Sequence, residues 1–108
     1  MTEPLPAPIA AYVAANARLN PAEMLAPFAP DAVVFDEGGR HEGHAALSAW
    51  IQAATIRYAA IFTPSAWRED QGRVVVDGET AGAFPGSPLR FTFHFRLVDG
   101  AIAELEVH

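Results

Sequence analysis

Apolar side chains recur at helical spacing near the start of the chain. Over residues 5–19 they fall on one stripe of a helix, which comprises Leu5, Ile9, Tyr12, Val13 and the polar Asn16. A short second helix is predicted to begin at Asn20, because Asn is a favoured N-cap, Pro21 suits the first turn and Glu23 completes a capping box. The chain therefore opens with two helices.

The longest helical pattern covers residues 43–62. Apolar side chains return every three or four residues across this segment, and Trp50 and Tyr58 are among them. Pro64 cannot continue a helix, because its ring removes a backbone donor and clashes with the preceding turn. The pattern predicts a long helix that ends just before this proline.

Strand patterns occupy one short segment before the long helix and most of the chain after it. Turn residues bound the predicted strands, which are residues 31–36, 67–69, 73–84, 89–98 and 101–107. Strict alternation in the fourth of these puts Phe93 on one face and His94 on the other. Helices followed by an antiparallel meander predict an α+β fold, with the helices on one face of a sheet. The length predicts a single domain over residues 1–108.

Composition removes several kinds of chemistry. Thirteen acidic and seven basic residues give a net charge of −6, which argues against nucleic acid or an anionic membrane as a partner. Cysteine is absent, so disulfides, thiolate metal sites and a cysteine nucleophile are excluded. All seven basic residues are Arg, so a lysine Schiff base is excluded as well. Without a signal peptide or an apolar span, the expected location is cytoplasmic.

One short cluster invites a metal hypothesis. His41, Glu42 and His44 lie close together, but they lack the His-Glu-x-x-His spacing that puts two imidazoles on one helical face. An ordinary solvated turn at the start of the long helix explains them as well. We expect no metal and no organic cofactor, which leaves carboxylate, phenol, imidazole and guanidinium groups for any chemistry.

Five segments carry a resemblance to a known family. They are FAPDAVV (28–34), DEG (36–38), GHAAL (43–47), FPGSP (84–88) and FRLVDGAI (95–102). In this order they resemble the nuclear transport factor 2-like superfamily, which includes ketosteroid isomerases and SnoaL-like polyketide cyclases. The resemblance implies a cone, in which a bent antiparallel sheet wraps around the long helix and encloses a pocket for a small apolar molecule. It also implies a homodimer formed through the outer face of the sheet.

The resemblance also implies site residues. Asp36 matches the position of the isomerase general base, and Tyr12 matches the phenol that stabilises the enolate oxygen. One alignment places His94 as a second oxyanion donor, whereas a shift of one residue places Phe93 there and reverses the face. As alternatives, Asp36 is an ordinary turn acceptor and Tyr12 a core residue. Candidate ligand-lining residues, which also suit a core, are Trp50, Tyr58, Trp67, Phe84 and Phe93.

Two functions follow as hypotheses. The first is a cofactor-free isomerase, cyclase or dehydratase that acts on a small apolar carbonyl compound with Asp36 as general acid and base. The second is a non-catalytic ligand-binding or dimerisation domain of the same fold. A protein-interaction adaptor is a third, less favoured hypothesis. A pocket that brings Asp36 and Tyr12 to the same space favours the first over the second.

Overall fold

The structure, a computed structural model, describes residues 4–108, so the first three residues of the predicted domain lie outside it. The helices are α1 (Ala7–Ala17), α2 (Pro21–Leu25) and α3 (Gly43–Ala54), and one turn of 3-10 helix covers Ile56–Tyr58. The strands are β1 (Phe28–Asp36), β2 (Gly39–Glu42), β3 (Ile61–Asp70), β4 (Arg73–Ala81), β5 (Leu89–Val98) and β6 (Ala101–Val107). Among these residues no helix is both long and apolar enough to cross a bilayer.

The six strands form one curled, open sheet in the order β2-β1-β6-β5-β4-β3. Strands β3 to β6 make the expected antiparallel meander. Strand β1 runs parallel to β6, which the sequence pattern does not predict, so the sheet is mixed rather than wholly antiparallel. The α+β class and the cone-shaped fold are confirmed.

The core lies between the sheet and the helices, with α3 packed on β1 and α1 packed on β3 and β6. Its fully buried side chains come from both layers and include Ile9, Leu47, Ile51, Phe95 and Leu105. Burial of each such side chain contributes roughly 1.5–3 kcal/mol. Because Ile9, Leu47, Ile51 and Phe95 fall on the predicted stripes of α1, α3 and β5, the patterns identified these core faces correctly.

The start of α2 follows its sequence signature. The Asn20 side chain accepts a hydrogen bond from the Glu23 backbone N–H at 3.1 Å, as an N-cap does. Its amide also donates to the Glu23 carboxylate at 3.1 Å, which closes a reciprocal pair on the surface. The N-cap predicted at Asn20 is confirmed, but the second bond of a capping box is not formed, because the Asn20 backbone N–H donates to the Ala15 carbonyl and not to Glu23.

Helix α3 is shorter than its apolar pattern predicts, because it ends at Ala54 and not near Phe62. The chain leaves the helix at Thr55 and turns at Ala59, whose φ of 48° is left-handed. The Asn16 side chain of α1 donates to the Ala60 carbonyl at 2.9 Å and accepts from the Phe62 N–H at 2.7 Å. These bonds satisfy backbone groups that a continued helix would pair internally, so a tertiary contact overrides the local pattern.

Strand β3 begins at Ile61 and is longer than the predicted residues 67–69. Pro64 therefore lies inside a strand and does not end a helix. The strand tolerates it because β3 is an edge of the sheet and its register with β4 shifts between Pro64 and Ala66. Edges and bulges are the positions where a missing N–H costs least.

Gly78 of β4 lies directly under the chain of β3. A Cβ built at Gly78 would come within 2.5 Å of the Thr63 carbonyl oxygen and 2.7 Å of the Phe62 ring. We expect Gly78→Ala to lower the free energy of unfolding by about 1–3 kcal/mol, because the backbone oxygen cannot retreat without breaking the pairing. Urea unfolding followed by circular dichroism measures the loss. The exposed neighbour Glu79→Ala is the control, expected within about 0.5 kcal/mol of wild type; equal losses would refute the steric explanation.

Candidate functional site

A cavity of about 660 Å³ opens between the helices and the curled sheet. Besides Tyr12, its aromatic lining consists of Trp50, Tyr58, Phe62, Phe84, Phe91 and Phe93. Four of the five ligand-lining candidates from the sequence are in this set. Cavities of this size, lined by aromatic rings with a few polar groups, are typical of small-molecule sites.

Asp36 is the last residue of β1, and its half-buried carboxylate lines the cavity. Val34, two positions earlier, is fully buried, and strand alternation puts Asp36 on the same inward face. The carboxylate accepts a hydrogen bond from the Trp50 indole N–H of α3 at 3.0 Å. Asp36 is therefore held by a side chain of the cavity wall and not by the amides of the following turn.

Tyr12 of α1 faces the same cavity and is only 3% exposed. The rings of Phe28 and Phe95 pack edge-on against it, with centroids at 5.6 and 6.1 Å. Its hydroxyl forms no hydrogen bond with any of residues 4–108. Burial, and secondarily the charge of Asp36, raise the pKa of Tyr12 above its ordinary value of 10.0. The phenol stays protonated and is available to donate to a ligand.

We expect Tyr12→Phe to alter the pH dependence of stability only at alkaline pH. Because the pKa of Tyr12 is raised in the folded chain, the unfolded chain loses this proton first, from about pH 10 upward. The free energy of unfolding of the wild type should then fall by up to about 1.4 kcal/mol per pH unit more than that of Tyr12→Phe. Denaturant titrations at several pH values between about 7 and 11 measure this difference. Tyr58→Phe serves as the matched control; if it removes the alkaline loss as fully as Tyr12→Phe, the assignment to Tyr12 is wrong.

The loop after β4 brings Phe84 to the cavity. Strand β4 ends at Ala81, short of the predicted residue 84, and the chain folds back over the 3-10 turn. The Gly82 N–H donates to the Ser87 hydroxyl at 3.0 Å, and the Ala83 N–H donates to the Tyr58 carbonyl at 2.7 Å. The rings of Tyr58 and Phe84 meet edge-on at 6.5 Å. Two candidate residues thus form one wall.

Of Phe93 and His94, it is Phe93 that faces the cavity. The Phe93 ring lines the cavity and stacks on Phe62 at 4.2 Å with an interplanar angle of 5°. His94 lies on the opposite face of β5, edge-on to His108 at 4.9 Å, where partial burial and then His108 lower its pKa. The expectation that His94 lines the pocket as an oxyanion donor is corrected, because alternation along the strand points it away.

Trp67, like His94, was a candidate for the cavity lining but does not line the cavity. It lies in the outer half of β3, half-buried, and packs against the edge of the core without lining the cavity. The register shift between Pro64 and Ala66 separates it from the part of β3 that reaches the cavity at Phe62. A bulge of this kind changes which side chains face inward, and the sequence pattern alone does not reveal it.

Two further titratable side chains, Glu37 and His41, lie at the cavity. Alternation along a strand that continues past Asp36 predicts that Glu37 points the opposite way, but β1 ends at Asp36 and Glu37 turns with a φ of 51°, so the exposed Glu37 also lines the cavity. His41 lines it too, with its ring 6.4 Å from that of Trp50. His44 instead contacts the Phe28 carbonyl at 3.0 Å. Across residues 4–108 no three metal-binding side chains gather into a cation site.

Asn16, which the sequence argument placed on the stripe of α1 without naming it as a site residue, also lines the cavity. It lies one helical turn after Tyr12 and is 3% exposed. Its amide joins α1 to Ala60 and Phe62 and thereby fixes the wall that replaces the end of α3. A polar residue on an apolar helical stripe was the available signal, because buried amides in proteins are hydrogen-bonded to something specific.

The fold and cavity define the nuclear transport factor 2-like class, and solved structures agree. A putative polyketide cyclase from Sinorhizobium meliloti is 36% identical, with a TM-score of 0.90 over 96% of this chain and 95% of that one. A hypothetical protein with a ketosteroid isomerase-like fold from Catenulispora acidiphila, in complex with trimethylamine, is 21% identical, with a TM-score of 0.81 over 100% and 86%. A putative polyketide cyclase from Xanthomonas campestris is 22% identical, with a TM-score of 0.80 over 94% and 86%.

A family model described as a SnoaL-like domain matches residues 9–105. The chain belongs to the SnoaL-like domain family, and the resemblance noted in the sequence is confirmed. A comparison with curated proteins gave no match. Family membership and the 36% identical putative polyketide cyclase support a small-molecule-binding or cyclase-type role.

Proposed function

We propose that this protein binds a small, mostly apolar carbonyl compound in its cavity and moves a proton on it without a cofactor. The observation that carries the proposal is that the Asp36 carboxylate and the Tyr12 hydroxyl line one aromatic cavity. The trimethylamine complex of the Catenulispora protein supports small-molecule binding by this fold. The reaction class is an isomerisation, cyclisation or dehydration.

The proposed chemistry divides between two side chains. Asp36 takes a proton from the carbon next to the carbonyl and later returns it at another atom, so no net proton is gained or lost. Tyr12 donates a hydrogen bond to the oxygen as negative charge develops there. The Trp50 indole holds the Asp36 carboxylate toward the cavity through the 3.0 Å hydrogen bond. Neighbouring aromatic rings exclude water, which strengthens both interactions.

The test is a screen of purified protein against β,γ-unsaturated ketones. Conversion to the conjugated ketone appears as ultraviolet absorbance, and deuterium incorporation next to the carbonyl in heavy water reports proton transfer even without isomerisation. We expect both signals for at least one ketone that fits the cavity. Binding without either signal, across a series of ketones that saturate the cavity, would rule out the catalytic role.

One observation favours a second candidate, a non-catalytic ligand-binding domain. With Phe93 at the cavity and His94 on the outer face, His94 cannot join Tyr12 as the second oxyanion donor that one alignment implied. An oxyanion hole with one donor stabilises developing charge less than one with two, since each donor contributes on the order of 10²–10³ in rate. Saturable ligand binding with no deuterium exchange is the result expected for this candidate.

We also propose that the chain forms a homodimer through the face of the sheet that points away from the cavity. This face carries a charged network in which Arg73 pairs with Glu104 and Glu106, and Arg96 pairs with Glu104. A two-fold contact uses the same patch on both copies, and mixed charges allow such a patch to complement itself. Light scattering coupled to gel filtration should give twice the chain mass of 11.6 kDa; the mass of one chain would contradict the dimer.

A further inference from the structure

The cavity is lined by the carboxylates of Asp36 and Glu37 and, among the described residues, by no arginine or lysine. We propose that the cavity accepts uncharged ligands and excludes their carboxylate-bearing counterparts, so the natural ligand is a neutral carbonyl compound without an acid group. This inference rests on the proposed function only in placing the ligand beside Asp36. It concerns selection among ligands and not the proton transfer itself.

The acidic groups at the cavity have no cationic partner. Asp36 and Glu37 both line it, and neither forms an ion pair with any of the described residues. The Trp50 indole supplies Asp36 with a neutral donor only. His41 is the remaining cavity-lining side chain that could carry positive charge, and it lies against Trp50. An entering carboxylate would meet two uncompensated negative charges.

None of the seven arginines, all of which are among the described residues, lines the cavity. Five are in ion pairs with carboxylates outside it: Arg18, Arg40, Arg68, Arg73 and Arg96. Arg90 donates to the Ser65 hydroxyl, and the exposed Arg57 lies over the Tyr58 ring at 5.5 Å from its centroid. Since the chain has no lysine, no other long cationic side chain can serve as a carboxylate clamp.

The polar groups that remain suit a neutral acceptor. The Tyr12 side chain is 3% exposed, and its hydroxyl, which has no hydrogen-bond partner among the described residues, can donate to a carbonyl oxygen in the cavity. The Asn16 amide is already engaged by the backbone of Ala60 and Phe62. A carboxylate would lose its hydration shell against aromatic rings and regain only neutral donors, whereas a ketone loses far less.

Three probes of matched size and different charge test the proposal. They are 2-acetylnaphthalene, 2-naphthoate and 2-naphthylmethylammonium, each titrated into the whole chain at low ionic strength, with binding followed by calorimetry. We expect the ketone and the ammonium each to bind at least about tenfold more tightly than the carboxylate, as like-charge repulsion near a low-dielectric wall predicts. Added salt should narrow the gap, because the groups at the cavity mouth are partly screened.

Two variants test whether the Glu37 carboxylate contributes to the selectivity against naphthoate. Glu37→Gln should reduce the ratio of ketone to carboxylate affinity several-fold, because one of the two charges is removed. Glu42→Gln, an exposed residue paired with Arg40 outside the cavity, should leave the ratio at its wild-type value. Equal affinity for naphthoate and the ketone overturns the proposal. The proposal also falls if the ammonium binds as weakly as naphthoate, because the negative charges of Asp36 and Glu37 would then not select between ligands, or if no probe binds.

The two proposals can fail separately. If Asp36 is not a general base, the order of the three probes is still expected, because it depends on charge and not on proton transfer. If naphthoate binds as well as the ketone, deuterium exchange on a ketone can still occur. Binding order and exchange are therefore measured on the same preparation.

Discussion

Asp36→Asn is expected to lower the rate of proton transfer on a β,γ-unsaturated ketone by about 10²–10⁴. The substitution preserves the size of the side chain, and its amide oxygen can still accept the hydrogen bond from the Trp50 indole. The amide cannot take a proton at neutral pH, so the loss reports the general base and not the geometry of the cavity. Initial rates and deuterium exchange, each measured against substrate concentration, give the change in kcat and KM.

The matched control for this prediction is Asp99→Asn. Asp99 lies in the exposed turn between β5 and β6 with a φ of 52°, a conformation that Asn tolerates well. Its rate should equal that of the wild type. Ligand binding by Asp36→Asn should persist, which separates a lost base from a lost site. Wild-type rates in Asp36→Asn would eliminate the proposed role of this carboxylate.

Asn16→Ala is expected to lower the free energy of unfolding by about 2–5 kcal/mol. The substitution removes the donor to the Ala60 carbonyl and the acceptor for the Phe62 N–H. Ala60 and Phe62 are both nearly fully buried. Each buried backbone group left without a partner costs about 1–3 kcal/mol. Urea unfolding at neutral pH measures the difference.

Asn20→Ala makes the same chemical change at an exposed helix cap. Within residues 4–108 its side chain bonds only to Glu23, so the expected cost is about 1 kcal/mol, typical of an N-cap. The comparison isolates burial, since both variants lose an amide that holds backbone groups. If the two variants unfold at the same urea concentration with equal slopes, the Asn16 bonds do not stabilise the fold to the extent inferred.

The elements that follow one repeating pattern were predictable from sequence. The stripe of α1, the cap at Asn20 and the alternation of β5 each depend on residues a few positions apart, and each is found as predicted. The parallel pairing of β1 with β6 depends on strands far apart in the chain, and no local pattern specifies it. Periodicity fixes which face is buried, and long-range packing decides which strands become neighbours.

The candidate site, like the fold, could be predicted from the sequence only in part. The family resemblance named Asp36 and Tyr12, and the structure places both at one cavity. The resemblance left Phe93 and His94 open, because a one-residue shift in alignment exchanges the two faces of a strand. Glu37 was misjudged because the strand ends one residue before it, and strand ends are the least certain part of any pattern.

The early end of α3 has a consequence for how this protein can change its ligand. Residues 55–60 leave the helix and give the cavity its Thr55, Tyr58 and Ala60 wall, where a continued helix would have run on for about 1.5 Å per residue. Asp36 and Tyr12 are held by other elements, β1 and α1. Exchange of this six-residue segment is therefore expected to change the shape of the cavity while Asp36 and Tyr12 keep their positions on β1 and α1, provided that the Asn16 bond to residue 60 and the Trp50 bond to Asp36 are kept.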